Sequence, residues 1–295
     1  MAEITYTKNM KANELYQKLE TDFELNKCSD DWSQMDFNEY ITKNFKDRYM
    51  GLVLDNAQEI EKVYTAVFPS DLALNHILDK GEKNVLLFTH HPMIWDTQAP
   101  GFPFININKD LLPKLADNKI SLYALHVPLD KNGTYSTSTT FAQAIGVSYD
   151  EDLAKCYGVW DGLAGNTECK TLAELAQRAR EAVGHEVKVI RNNPEVNIQG
   201  QKIAVVGGGG NDLEVMKELL EKGIKTYVTG VASAFSDYPP SIEFDRLAKE
   251  HGINLIGASH YSTEKFACMR MTKYFELLGL PAEFIEDKPD MGDIT

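Results

Sequence analysis

The sequence predicts an α/β fold in two halves, with largely parallel sheets. Three observations predict it. Short apolar runs at Lys62–Val67, Asn84–Thr89, Ile120–Leu125, Lys202–Val206, Lys225–Thr229 and Ile253–Ile256 are rich in Val, Ile, Leu and Tyr. Several lack polar alternation, as strands buried on both faces do. Stretches with helical spacing fall between these runs, and most stop at a glycine, which is the alternation of βαβ units. Finally, 295 residues suit one large domain or two modest ones, at ~100–200 residues each.

Taken in order, the chain to about Asp47 reads as mostly helical. Met10–Phe23 places Leu15, Leu19 and Phe23 at four-residue spacing, an apolar helical face. Asp71–Lys80 is a helix stopped by Gly81, and Asp110–Asp117 is a helix leading into the Ile120 strand. A soft boundary falls at 146/147, giving halves 1–146 and 147–295. Thr171–Val183 is a helix with Thr171 as N-cap and Glu174 three residues on, the pattern of a capping box. Asn211–Lys222 and Ser241–His251 are helices that end at Gly223 and Gly252. The C-terminal segment is expected to pack back on the first half.

Composition narrows the function. Hydrophobic residues make up 43% and charged residues 25%, an ordinary globular balance. There are 44 acidic and 30 basic residues, for a formal charge of −14. That argues against a nucleic-acid partner or a polybasic membrane patch. No run approaches the ~20 apolar residues of a membrane span, and the N-terminus has no secretory h-region, so a cytoplasmic location is expected. Cys28, Cys156, Cys169 and Cys268 form no C-x-x-C pair and read as free thiols.

Four motifs carry candidate chemistry. Phe88–Pro92, F-T-H-H-P, runs an apolar strand into His90 and His91, at the strand end where open α/β sheets place ligands. Neighbouring side chains of a regular strand point to opposite faces, so the backbone must turn here or two ions must lie side by side. The plain alternative is a pair of loop histidines. Leu122–Asp130 ends another strand in His126 and Asp130. Asp130 can bridge cations or simply sit in a turn. His126 is a second-shell orienter or proton shuttle, or a strand-end histidine capped by backbone. Leu255–Glu264 ends a third strand and brings His260 and Glu264 at i and i+4, one face of a helix that starts near Ser259. Gly207–Asp212, G-G-G-G-N-D, follows a strand and opens a helix. It fits neither the dinucleotide fingerprint nor a Walker loop, and reads as a tight turn with Asn211 or Asp212 as N-cap.

Three strand ends thus supply His90, His91, Asp130, His260 and Glu264. These are too many ligands for one tetrahedral zinc with an open position. They suit a pair of ions ~3.5–4 Å apart. A mixed nitrogen and oxygen set admits zinc, iron, manganese, cobalt or nickel. No G-x-S-x-G elbow competes.

The T-H-H-P, H-x-x-L-D and G-x-S-H-Y-x-T-E elements together resemble the YbgI-like, Ngg-interacting-factor-three-like family of dinuclear-metal-centre proteins. Its members are commonly named GTP cyclohydrolase I type 2. Thr171–Val183, Lys202–Gly210 and Thr226–Gly230 occur in the family's order, so the resemblance spans roughly Gly51 to Gly279. It implies two divalent metal ions on His90, His91, Asp130, His260 and Glu264. It further implies two interlocked α/β subdomains with the metal site at strand C-terminal ends between them, and a homohexamer. The function implied is a metal-dependent hydrolase, GTP cyclohydrolase-like or acting on a nucleotide or phosphoester. The alternative is a non-catalytic metal-binding assembly or adaptor protein; a weaker one is a nucleotide sensor using Gly207–Gly210. Two loops depart from the family pattern, Asn132–Thr139 and Thr229–Phe235, and both are candidates to line a substrate.

Overall fold

Helices begin where a side chain can satisfy the amides that a helix N-terminus leaves open. The computed structural model describes residues 9–294. Ser70 accepts from the Ala73 amide at 3.1 Å and opens Asp71–Asp79. Thr171 accepts from the Glu174 amide at 3.2 Å and opens Leu172–Val183. The expected capping box differs in one detail. The Glu174 carboxylate takes the Lys170 amide, at 2.7 Å, one residue ahead of the cap. Asp212 accepts from the Val215 amide at 2.9 Å and opens Leu213–Glu221, so the glycine run is the tight strand-to-helix turn read from sequence.

Burial pushes the Asp212 carboxyl above the ordinary carboxylate range. The folded chain therefore holds this proton more tightly than the unfolded chain does. The group favours folding below its unfolded pKa, and that contribution is lost as pH rises through the raised value. Asp212→Asn keeps a cap acceptor and removes the titration. Its stability relative to wild type is expected to improve between about pH 4 and about pH 7. Asp212→Ala removes the cap and is expected to cost about 1 kcal/mol. Denaturant unfolding at both pH values checks both; a stability difference between Asp212→Asn and wild type that does not change with pH refutes the linkage.

The chain divides into two units. The first runs up to Trp95, then from Phe104 to Leu129 and from Cys268 to Asp287. The chain passes into the second unit at Asp130, ahead of the 146/147 division read from sequence. The second unit holds Asp96–Pro103, Asp130–Ala267 and the residues from Lys288 on.

The first unit is built on a five-stranded sheet, ordered Ala282–Phe284, Lys62–Ala66, Val85–Thr89, Ile120–Ala124, Gly51–Leu54. The first four run parallel, and Gly51–Leu54 is antiparallel to Ile120–Ala124. Helices Asp71–Asp79 and Leu112–Asp117 bury Leu74, Ile77, Leu112 and Leu115 into a cluster with Leu87, Leu122 and Ile120. The start of the chain is less helical than its periodicity predicts. Ala12–Asp22 forms and buries Leu15 and Leu19, but Phe23 is its C-cap. Beyond the short turn Leu25–Lys27, the next helix is Lys43–Arg48. In between, Asp31 accepts from the Ser33 amide at 2.9 Å and Asn38 from the Tyr40 amide at 3.0 Å. Such local bonds offer the backbone an alternative to helix.

The second unit is built on a six-stranded sheet, ordered Lys188–Ile190, Asn254–Gly257, Thr226–Thr229, Ile203–Val206, Val159–Gly165, Glu151–Cys156. Only its centre is parallel, from Asn254–Gly257 through Ile203–Val206. The flanks are antiparallel, which corrects the expectation of largely parallel sheets for this unit. One of the three antiparallel pairs, Glu151–Cys156 with Val159–Gly165, is made by a two-residue hairpin at Tyr157 and Gly158, both at positive φ, 47° and 84°. Turns of that hand join antiparallel strands. Helices Leu213–Glu221 and Pro239–Glu250 cover one face with Val215, Met216, Leu219, Phe244 and Ala248. Among the described residues, no helix is long and apolar enough to cross a membrane.

Candidate metal centre

His90 and His91 follow the strand Val85–Thr89, and their amides donate to the Ala66 and Val67 carbonyls, at 3.3 and 3.0 Å. Successive amides of a regular strand point to opposite edges, so the regular ladder ends at Thr89 and the side chains do not alternate to opposite sides. The two rings lie 4.3 Å apart between centroids, at 68°. Both residues are buried. His126 follows the neighbouring strand Ile120–Ala124, and its ring is 5.1 Å from that of His90 and 4.8 Å from that of His91. One potential ligand atom from each of the three lies within 4.8 Å of the others. The backbone thus turns enough to gather adjacent histidines, the first of the two options their adjacency allowed.

Hydrogen bonds fix the tautomers. Nδ1 of His90 donates to the Leu125 carbonyl at 2.9 Å, so the lone pair of the neutral ring sits on Nε2. Nδ1 of His126 donates to both oxygens of Asp30, each at 3.1 Å, with the same result. The Asp30 side chain is 1% exposed. His126 is therefore held by a carboxylate rather than capped by backbone. Aromatic rings wall this group: Trp32 edge-on to His91 and His126, Phe68 stacked on His91 at 4.9 Å, and Phe104 at 5.2 Å from His91.

The second unit holds the other candidates. His260 opens the helix His260–Leu277 directly after the strand Asn254–Gly257. The i, i+4 spacing does what it predicts. His260 Nε2 and Glu264 Oε1 are 3.0 Å apart, with side chains 5% and 4% exposed. Two cis ligands of one ion, each at ~2.0–2.2 Å, are separated by about 3 Å, so this pair fits a metal. Asp130 ends the short helix Val127–Asp130. Its Oδ1 accepts from Thr137 Oγ1 at 2.7 Å, and its backbone carbonyl accepts from Ser136 Oγ at 3.1 Å. The unusual loop Asn132–Thr139 thus orients Asp130.

Three further features support the His260 end. Asp293 Oδ2 accepts from the His260 amide at 2.8 Å and from Ser259 Oγ at 3.3 Å. Burial pushes its carboxyl up to about 6. Gly208 is at φ +71°, and a Cβ there would run into Glu264 Oε1; its amide donates to Thr263 Oγ1 at 2.8 Å. The glycine run is thus a turn that also lets the backbone approach the carboxylate.

A family model described as Duf34/NIF3 (NGG1p interacting factor 3) matches residues 37–290. The chain belongs to this family. Curated relatives of this NIF3-family chain include proteins named "GTP cyclohydrolase 1 type 2 homolog" from Borreliella burgdorferi and Archaeoglobus fulgidus. The first is 26% identical over 91% of this chain and 94% of that protein. The second is 28% identical over 80% of this chain and 88% of that protein. Among solved structures, the structural-genomics protein ybgI aligns with TM-score 0.72 and 20% identity, over 95% of this chain and all of that one. Reduced HcgD from Methanocaldococcus jannaschii aligns with TM-score 0.67 and 23% identity, over 95% and 99%. These two show that the fold is shared.

Sequence reasoning for this NIF3-family chain missed Asp30, Trp32 and Asp293. Asp30 and Trp32 lie in K-C-S-D-D-W, inside a stretch read as helical and outside the family match. Only adjacent acids before a tryptophan marked it. Asp293 sits in the C-terminal tail, in M-G-D-I-T, with no periodicity to flag it.

Proposed function

We propose that this protein is a metal-dependent hydrolase with two divalent ions, held by His90, His91, Asp130, His260 and Glu264. The observation that carries the reading is the buried His260–Glu264 pair, 3.0 Å apart at a strand's C-terminal end. Desolvation of a buried imidazole–carboxylate pair can exceed the attraction between them, so the pair is weak evidence of a stabilising role and a suitable arrangement for a cation. The His90 and His91 rings, at another strand end, supply the nitrogen donors that borderline divalent ions favour. When bound, such ions lower the pKa of water and polarise the bond under attack.

The protein's own groups do the rest. Leu125 holds His90 with Nε2 as its basic nitrogen. Thr137 turns the Asp130 carboxylate. Trp32, Phe68 and Phe104 exclude water from one side of the histidines. The names of the curated relatives point to GTP, and a nucleotide or phosphoester is the substrate class we assign. A cytoplasmic homohexamer belongs to the same reading.

The test is turnover of GTP and of a panel of phosphate esters, by metal-loaded protein and by its Glu264→Ala variant. Wild-type turnover that the variant lacks is the expected result. A filled site with no turnover above a metal-only blank overturns the hydrolase reading in favour of a metal-binding assembly protein.

A further inference from the structure

We propose that His126 is itself a metal ligand, making with His90 and His91 a three-imidazole donor group inside the first unit, and that Asp30 is the residue that positions it. This rests on the metal reading above and extends its ligand set. The outer role that sequence reading gave to His126 then belongs to Asp30.

Geometry supports it at three points. The three candidate ligand atoms lie within 4.8 Å of one another, and the rings pack at 4.3, 4.8 and 5.1 Å between centroids. His90 and His126 each donate Nδ1–H to an oxygen acceptor, one a backbone carbonyl and the other a carboxylate. Metal-bound histidines are oriented in this way, because the second hydrogen bond fixes the tautomer and raises the basicity of the ligating nitrogen. The carboxylate that does so for His126 is buried, 1% exposed, so its orientation is set by the fold. Trp32, two residues on, closes the same side with its ring against both His91 and His126. The histidines lie within the family match at 37–290, but Asp30 and Trp32 precede it. The donor group thus draws on a segment ahead of the residues that the family model matches. Three neutral nitrogens select a borderline cation such as cobalt or zinc over magnesium or calcium.

The experiment uses the full chain and Co²⁺. Titration calorimetry gives affinity, and X-ray absorption gives the number of imidazoles per cobalt. His126→Ala is expected to lower the imidazole count and weaken affinity at least tenfold. Asp30→Asn should keep the count and weaken affinity roughly 10–100-fold, the effect typical of a lost outer partner. His251→Ala, at an exposed helix end, should match wild type. As a readout on the unmutated protein, Zn²⁺ added to chain carrying ¹⁵N-histidine should shift the His126 Nε2 resonance. Wild-type affinity and imidazole count in His126→Ala, or an unmoved His126 Nε2 resonance beside shifted ones from His90 and His91, overturns the proposal and leaves the metal reading standing. Wild-type protein that takes up no cobalt overturns both.

Discussion

Glu264→Ala is expected to lose most of the protein's bound metal, and His260→Ala to do the same. Each removes one partner of a buried pair whose ligand atoms are 3.0 Å apart. Neither can be replaced from solvent, since both side chains are nearly fully buried. Loss of an outer-shell partner already costs about 10–100-fold in affinity, and loss of a direct ligand should exceed that. Metal per chain after dialysis, read by mass spectrometry, is the measurement. Unchanged content in both variants would remove these residues from the ligand set. The four cysteines are the internal control. Cys169 and Cys268 are buried, and Cys28 and Cys156 half-buried. Serine at any of them should leave metal content alone, and a drop at one would identify that thiol as a ligand.

The parts of the fold that were legible in the sequence share one physical cause. A strand buried on both faces must be apolar throughout, so Val85–Thr89, Ile120–Ala124 and Ile203–Val206 stand out as runs. All three are strands. The strands that were missed lack that signal. Glu151–Cys156 reads E-D-L-A-K-C, and Val159–Gly165 carries two glycines and an aspartate. Glycine there is a packing requirement, not a break. A Cβ at Gly162 would meet Val206 Cγ2 at 2.6 Å. Ala282–Phe284 is three residues long, too short for any period to show.

The site divides in the same way. His90, His91, His126, Asp130, His260 and Glu264 were visible because strand ends are where ligands gather, and because i, i+4 spacing has one structural meaning in a helix. Asp30 was not visible. It lies 96 residues from His126 in sequence, on a segment shaped by Asx-type bonds rather than by a period. Nothing local to K-C-S-D-D-W encodes which acid turns inward. Asp293, 33 residues from His260, was hidden for the same reason.

Gly230→Ala should destabilise the protein by about 3 kcal/mol, at the upper end for overpacking, and should lower its metal content as well. A Cβ built at Gly230 would lie 2.8 Å from the His260 Cα and 2.9 Å from the Ser259 carbonyl oxygen, and closer still to the Gly208 carbonyl oxygen. All three neighbours are backbone, so none can rotate away. The Gly230 carbonyl also accepts the Ser259 amide at 3.0 Å, which ties this glycine to the residue just before the His260 helix. Ser259 is already at φ 71°, a conformation that costs a non-glycine residue of order 1–3 kcal/mol, so this turn has little freedom to yield. A methyl group there must displace either the start of the His260 helix or the Gly208 turn that faces Glu264. Two other glycines separate this effect from glycine's conformational freedom. Gly184 is at φ +84° with nothing within 4 Å of a built Cβ, so alanine there should cost about 1–2 kcal/mol through the backbone alone and spare metal binding. Gly209 has open space and no such φ, and alanine should be near neutral. Denaturant unfolding and metal content, measured on all three variants, test the ordering. If Gly230→Ala matches Gly209→Ala in both, the close approach of the T-Y-V-T-G turn to His260 has no energetic consequence, and the glycine there is incidental to the proposed metal centre.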